Sequence, residues 1–207
     1  MNFMKMASQK SNDSHQARAP KRERGKARVE ALLSAATQVF AAKGFDAATM
    51  TEIAGAAGAP IGSLYQFFPT KAALARTLLE RYGTHMSAHL SAIEQAVPTL
   101  SLDVIVARLL GLLTSLAEER RCAMALLDAK SVPPEQRQTL RKGLREGTAR
   151  VLVAYAPELS ASEAEVAAVV VVNSMRAMVH LGEERCAEQA RAQWQAMLVA
   201  HLRGLPG

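Results

Sequence analysis

The chain has 207 residues, a formal charge of +6, 49% apolar and 21% charged residues, and two cysteines. That length allows one or two domains of roughly 150 residues with a sizeable core, and the balance is too apolar for a disordered chain. Cys122 and Cys186 are too few for a disulfide scaffold or a four-thiolate zinc site; they fit a reducing compartment, and a cytoplasmic location is the expectation. Arg108 interrupts one long apolar stretch, and Asn173, Ser174 and Arg176 interrupt another. With no unbroken run of about 18 apolar residues, no membrane-spanning helix is expected. The N-terminus lacks the apolar core of a secretory signal.

The charge is unevenly placed. Residues 1–28 hold eight bases and two acids, while the remaining residues hold 17 of each. Residues 1–25, polar and basic, read as a flexible arm suited to nucleic acid or an anionic surface.

Everything beyond reads as helix, with no period-2 alternation and an aromatic content of only 4%. A first helix is expected over about 26–43, with Val29, Leu32, Leu33, Ala36, Val39 and Phe40 at helical spacing and Gly44 in the left-handed position that ends it. Thr49-Met-Thr-Glu52 is a capping box opening a second helix that Gly58 breaks. Pro60 is placed to open a short third helix carrying Ile61 to Phe67, and Thr70 caps a long fourth helix over about 71–97. Five more follow over about 101–118, 120–130, 133–154, 162–183 and 187–203, the fourth of these opened by a capping box at Ser162-Glu-Ala-Glu165 and apolar nearly all round.

The segment 28–71 has the helix-turn-helix layout, in which the second helix enters the major groove. Thr49 sits at a helix N-terminus, where amides attract phosphate. Gly62 lets the backbone approach a duplex closely. The Tyr65 hydroxyl can reach a phosphate, Gln66 can pair with adenine, and Ile61 can touch a thymine methyl. Lys71 lies in the first turn of its helix, against the dipole, and a nearby phosphate would offset that cost.

Gly44-Phe45, Thr49, Glu52-Ile53-Ala54, Ala57-Gly58, Gly62 to Phe68 and Lys71 together resemble the N-terminal domain of the TetR (tetracycline repressor) family over about 45 residues. The resemblance implies an all-α protein: a helix-turn-helix DNA-binding domain over 26–71, and a ligand-binding and dimerisation domain over 72–207. It implies a homodimeric transcriptional regulator, mostly repressors in this family, that binds a palindromic DNA operator and is released by a small-molecule effector. The last two helices would form the dimer interface. Phosphate-contacting positions fall on Thr49, Tyr65 and Lys71, and base-facing positions on Ile61, Gly62, Ser63 and Gln66. Two departures stand out: Pro60 where many members carry Ser, and Ile61 where many carry Lys.

Met86, His89, Met124, Met175 and Arg176 are the candidates for effector contact, because Met suits an adaptable pocket and a buried arginine needs an anion or an acid. An ion pair at a dimer interface is the plainer reading of Arg176. His85 and His89, at i and i+4, read as packing or pocket residues, since no acid or cysteine on that helix completes a metal set. The row Arg137, Arg141, Arg145 reads as a solvated face. No cofactor, metal or catalytic residue is expected: a nucleophile elbow, phosphate loop and dinucleotide fingerprint are all missing from the sequence. The other readings are an architectural DNA-binding protein of the same fold without a ligand, and a small helical enzyme.

Overall fold

The computed structural model describes residues 21–129, 134–181 and 185–205. Among these, nine α-helices and no strand occur: α1 (Lys21–Ala47), α2 (Met50–Ala56), α3 (Ile61–Phe67), α4 (Lys71–Ala96), α5 (Leu102–Ser115), α6 (Ala117–Leu127), α7 (Pro134–Tyr155), α8 (Ala161–Leu181) and α9 (Ala187–Arg203). A single 3₁₀ turn, Val97–Thr99, follows α4. The expected all-α class is the observed one, and each expected helix is present within a few residues.

α1 breaks where the sequence places its end. Gly44 has φ 77°, and the chain resumes helical geometry only for the short stretch to Ala47. The helix begins at Lys21, so residues 21–25 of the expected arm are helical; the rest of that arm, 1–20, lies outside the described residues. Leu32, Ala36 and Phe40, four apart on one face, are fully buried, and Ile53, Leu64 and Leu74 from the next three helices close on them. The Phe40 and Phe45 rings stack 5.9 Å apart. Each such side chain contributes ~1.5–3 kcal/mol on burial, against ~0–1 kcal/mol for an exposed ion pair, so this core fixes how α1 to α4 sit together.

Beyond α3, α4 passes out of the N-terminal unit and packs on α5, α6 and α7, while α8 packs against α5, α7 and α9. The Ser101 hydroxyl accepts the Val104 amide and starts α5. α7 crosses α4 closely at Gly147, where a Cβ would stand 2.6 Å from Leu90 Cδ1. Polar ties between helices include Arg203 to Asp103 at 3.0 Å (α9 to α5), Arg150 to Glu94 at 3.3 Å (α7 to α4), and His85 Nδ1 to Glu119 at 3.0 Å (α4 to α6). His85 thus ties two helices together, while His89 is exposed.

The second capping box differs from expectation by two residues. Ser160, not Ser162, accepts the Glu163 amide at 3.3 Å, and Glu163 Oε2 accepts the Ser160 amide at 2.9 Å and its hydroxyl at 2.6 Å. Both serines carry a glutamate three residues on, so spacing alone does not choose between them. Buried Leu159 ahead of Ser160 and buried Ala164 after it supply the apolar staple that the later frame lacks.

By length and composition α8 is apolar enough to cross a membrane, which the sequence reading did not expect; Asn173, Ser174 and Arg176 break its apolar run without removing its apolar average. One side of it is core: Ala164, Ala168, Val171, Met175 and Met178 are buried. The other side is apolar and uncovered, with Val166 64% exposed and Val169 and Val170 both above a third; on α9, Met197 is 70% exposed.

Candidate nucleic-acid interface

The helix-turn-helix is built by two helix ends. At the start of α2, Thr49 Oγ1 accepts the Glu52 amide at 3.2 Å, and Glu52 Oε2 accepts the Thr49 amide at 3.1 Å, the reciprocal box read from the sequence. The Thr49 hydroxyl also donates to Glu52 Oε2 at 3.1 Å. Lys43 reaches the other carboxylate oxygen at 2.6 Å. These hydrogen bonds and the ammonium hold the Glu52 carboxyl below the ordinary glutamate range, the Lys43 bond being the largest contribution. At the end of α2, the Ala59 amide donates to Ala54 O at 2.9 Å and the Gly58 amide to Gly55 O at 3.0 Å. This pair of bonds is a Schellman motif, and it needs a left-handed residue at Gly58, whose φ is 59°.

The turn delivers the chain to Pro60, which precedes α3 with no side-chain cap. Leu64 is the anchor of α3, fully buried. Around it Ile61, Gly62, Tyr65 and Gln66 are exposed, while Ser63 is half-buried. The predicted reading residues therefore lie on the uncovered side of a helix held from behind by one leucine. A Cβ built at Gly62 meets nothing within 4 Å, so the fold itself does not require glycine there.

Lys71 finds partners within the fold. Its ammonium donates to Phe45 O at 2.6 Å, Ala48 O at 2.8 Å and Asp46 O at 3.3 Å. These carbonyls follow the Gly44 break, and they supply the negative partner for which a phosphate had been invoked. The other three bases between residues 29 and 85 are also engaged: Lys43 with Glu52, Arg76 with Glu80 at 3.8 Å, and Arg81 with Glu30 at 2.6 Å. Beside the turn, Arg24 and Arg28 of α1 border a cleft of about 330 Å³ against Ala57–Ala59.

The middle of α4 faces two spaces. A cavity of about 270 Å³ lies among α4 to α8, with Tyr82, Met86, Arg120, Met124, Arg141 and Arg176 in its wall. A more open groove of about 730 Å³ runs between α4 and α7 and shares Met86 and Leu140 with it. Of the five sequence candidates, Met86, Met124 and Arg176 meet at the smaller cavity. His89 lines a separate cleft with Arg108, and Met175 is fully buried in the core, because the α8 face it occupies packs inward. Arg120, Arg137 and Arg141 were missed. The i, i+4 row on α7 was legible, but a solvated face has the same spacing. Arg137 in fact donates to Leu127 O and Asp128 Oδ1, both at 2.8 Å.

Residues 32–78 match the family model for bacterial regulatory proteins, tetR family. No curated protein matches the chain. Among solved structures, a TetR-like transcriptional regulator from Rhodococcus sp. RHA1 is 24% identical, with a TM-score of 0.62 over 90% of this chain and 100% of that one. A transcriptional regulator (TerR/AcrR family) from Aquifex aeolicus VF5 is 17% identical, with a TM-score of 0.68 over 84% and 99%. The regulator FadR from Bacillus subtilis, solved in complex with stearoyl-CoA, is 16% identical, with a TM-score of 0.61 over 83% and 98%. At these identities the structures establish the fold. Residues 32–78 thus carry the helix-turn-helix domain of the tetR family of bacterial regulatory proteins, and the chain as a whole has the fold of these solved regulators.

Proposed function

We propose that the chain is a ligand-responsive transcriptional repressor, cytoplasmic and homodimeric, that binds a palindromic DNA operator and is released by a small-molecule effector. One observation carries the reading: α4 serves both ends. Its first turns hold the reading head through Lys71 and through Arg81, which meets Glu30 of α1. Its middle lines the cavity through Tyr82 and Met86. A molecule that seats better in one tilt of α4 than another shifts the population of head positions. DNA is gripped only when two heads match successive major grooves, roughly 34–36 Å apart.

In this reading α3 enters the groove, with Ile61, Gly62, Ser63 and Gln66 toward bases and Thr49, Tyr65 and Lys71 near phosphates. Thr49 turns its hydroxyl from Glu52 to do so. Since the bases from 29 to 85 are already partnered, the excess positive charge comes from the start of α1 and the residues before it. The dimer forms across the uncovered faces of α8 and α9, through Val166, Val170 and Met197. The cavity favours a ligand-gated regulator over an architectural protein without one. The complex of FadR with stearoyl-CoA supports the view that this fold accommodates a small molecule.

Selection of bound duplexes from a random library tests the reading. A palindromic consensus is expected, and Tyr65→Ala and Gln66→Ala are expected to weaken binding to it. Val170→Glu is expected to give monomers in sedimentation and to lose operator binding. Selection that yields no consensus, or full affinity in both α3 variants, overturns it.

A further inference from the structure

The cavity wall against α4 is unusual in its charge. Four arginines border it, Arg120, Arg137, Arg141 and Arg176, together with His180, and no carboxylate does. Arg137 is used up by Leu127 O and Asp128. The other three make no ion pair among the described residues. Arg120 is half-buried, and its Nε is buried with no hydrogen-bond partner. Arg141 and Arg176 are exposed. Glu119, whose charge is felt at Tyr82, is held by His85 at 3.0 Å. Apart from Tyr82 the rest of the wall is apolar, with Met86, Leu113, Met124, Leu127 and Leu144 among it.

Like charges do not gather around a partly dry space without cost. Burial, and then the guanidiniums of Arg141 and Arg145, pull Arg176 below the ordinary arginine value. Arginine nonetheless stays charged at any physiological pH. A guanidinium fork is shaped to take a planar or tetrahedral oxyanion through two hydrogen bonds at once.

We infer that the effector of this protein is an amphipathic organic anion, with a single carboxylate or phosphate head held by Arg120, Arg141 and Arg176 and an apolar body lying against Met86, Met124 and Leu144. This rests on the reading of the cavity as the effector site and goes further by naming the chemistry that fits. Met86, shared with the neighbouring groove, is the flexible side chain past which a longer body extends.

Calorimetry on the full chain without DNA tests it, using matched pairs: octanoate with octanol, dodecanoate with dodecanol, naphthoate with naphthalenemethanol. Octyl phosphate separates a phosphate head from a carboxylate. At least one anion is expected to bind about tenfold or more tighter than its neutral partner, and to weaken as salt is raised. Arg141→Gln and Arg176→Gln, both at exposed positions, are expected to remove most of that preference and leave the alcohol unaffected. Arg150→Gln, whose partner is Glu94, is expected to change nothing. Neutral partners binding as tightly as the anions, no anion binding at all, or an unchanged preference in both arginine variants overturns the inference. A separate titration asks whether the bound anion releases selected DNA. Anion binding without release keeps the site and overturns only the effector reading, and a failed DNA selection leaves the calorimetric result standing.

Discussion

The ammonium of Lys71 stands 4.5 Å above the centroid of the Phe45 ring while donating to three backbone carbonyls of the segment that follows the α1 break. A cation at the start of α4 thereby neutralises the carbonyl end of α1 and holds the two together. Replacing it with methionine keeps the stem but leaves those carbonyls to water. Lys71→Met is expected to lower stability by about 1–3 kcal/mol, read from urea unfolding. Unchanged stability combined with weaker DNA binding would instead mean that the lysine serves phosphate alone.

Gly62 separates folding from recognition. Because no atom lies within 4 Å of a Cβ built there, Gly62→Ala is expected to leave stability unchanged or raise it by up to ~1 kcal/mol, as alanine favours helix. Binding to selected DNA is expected to fall about tenfold, comparable to losing one good base contact of ~1–3 kcal/mol. Equal affinity in the variant would show that the α3 backbone does not approach the duplex at this point.

The two cysteines differ in environment. Cys122 is buried, and burial, with help from Glu119 and Glu118, pushes its thiol up to about 12. Cys186 is exposed just before α9. Near neutral pH a thiol reagent is expected to modify one cysteine per native chain, identified as Cys186 by peptide mapping, and both in denaturant. Rapid native labelling of Cys122 would contradict the packing of α6.

Acid should loosen two helix starts. The carboxyls of Glu52 and Glu163 are both held below the ordinary range, Glu52 first by Lys43 and then by Thr49, Glu163 by the Ser160 hydroxyl and amide. A depressed folded value means that the stabilisation is present above the ordinary carboxylate range and is lost as pH falls through the folded value. Comparing unfolding at about pH 7 and about pH 4, the double variant Glu52→Gln/Glu163→Gln is expected to lose less stability on acidification than the parent. An identical acid dependence would show that neither box carries it.

What the sequence made legible follows from how local each signal is. Helix ends are local: Gly44, Thr49–Glu52 and Gly58 act through bonds spanning a few residues, and all three are where the sequence puts them. The choice between Ser160 and Ser162 was not legible, because two overlapping frames carry the same residues and burial of Leu159 decides between them. The carbonyl partners of Lys71 were not legible for a related reason: they lie 23 to 26 residues away, beyond any local rule. The arginine wall was least legible. Arg120, Arg141 and Arg176 sit on three helices, and only packing brings them to one space. Exposure of Ile61, Tyr65 and Gln66 follows from Leu64 being the inward residue of a two-turn helix.

Gly147 has a mechanical consequence. Its missing side chain seats α7 directly on Leu90, and a seat this tight resists sliding far better than it resists turning. In the proposed ligand-gated reading it is the point about which α4 tilts. From Leu90 to Lys71 the helix is roughly 28 Å long at about 1.5 Å per residue. A turn of only about five degrees there sweeps the Lys71 end through roughly 2.5 Å, over half of the ~4.7 Å that separates neighbouring strands in a sheet. The cavity lies along that arm, so in the proposed ligand-gated reading a small displacement at the wall is enlarged at the far end.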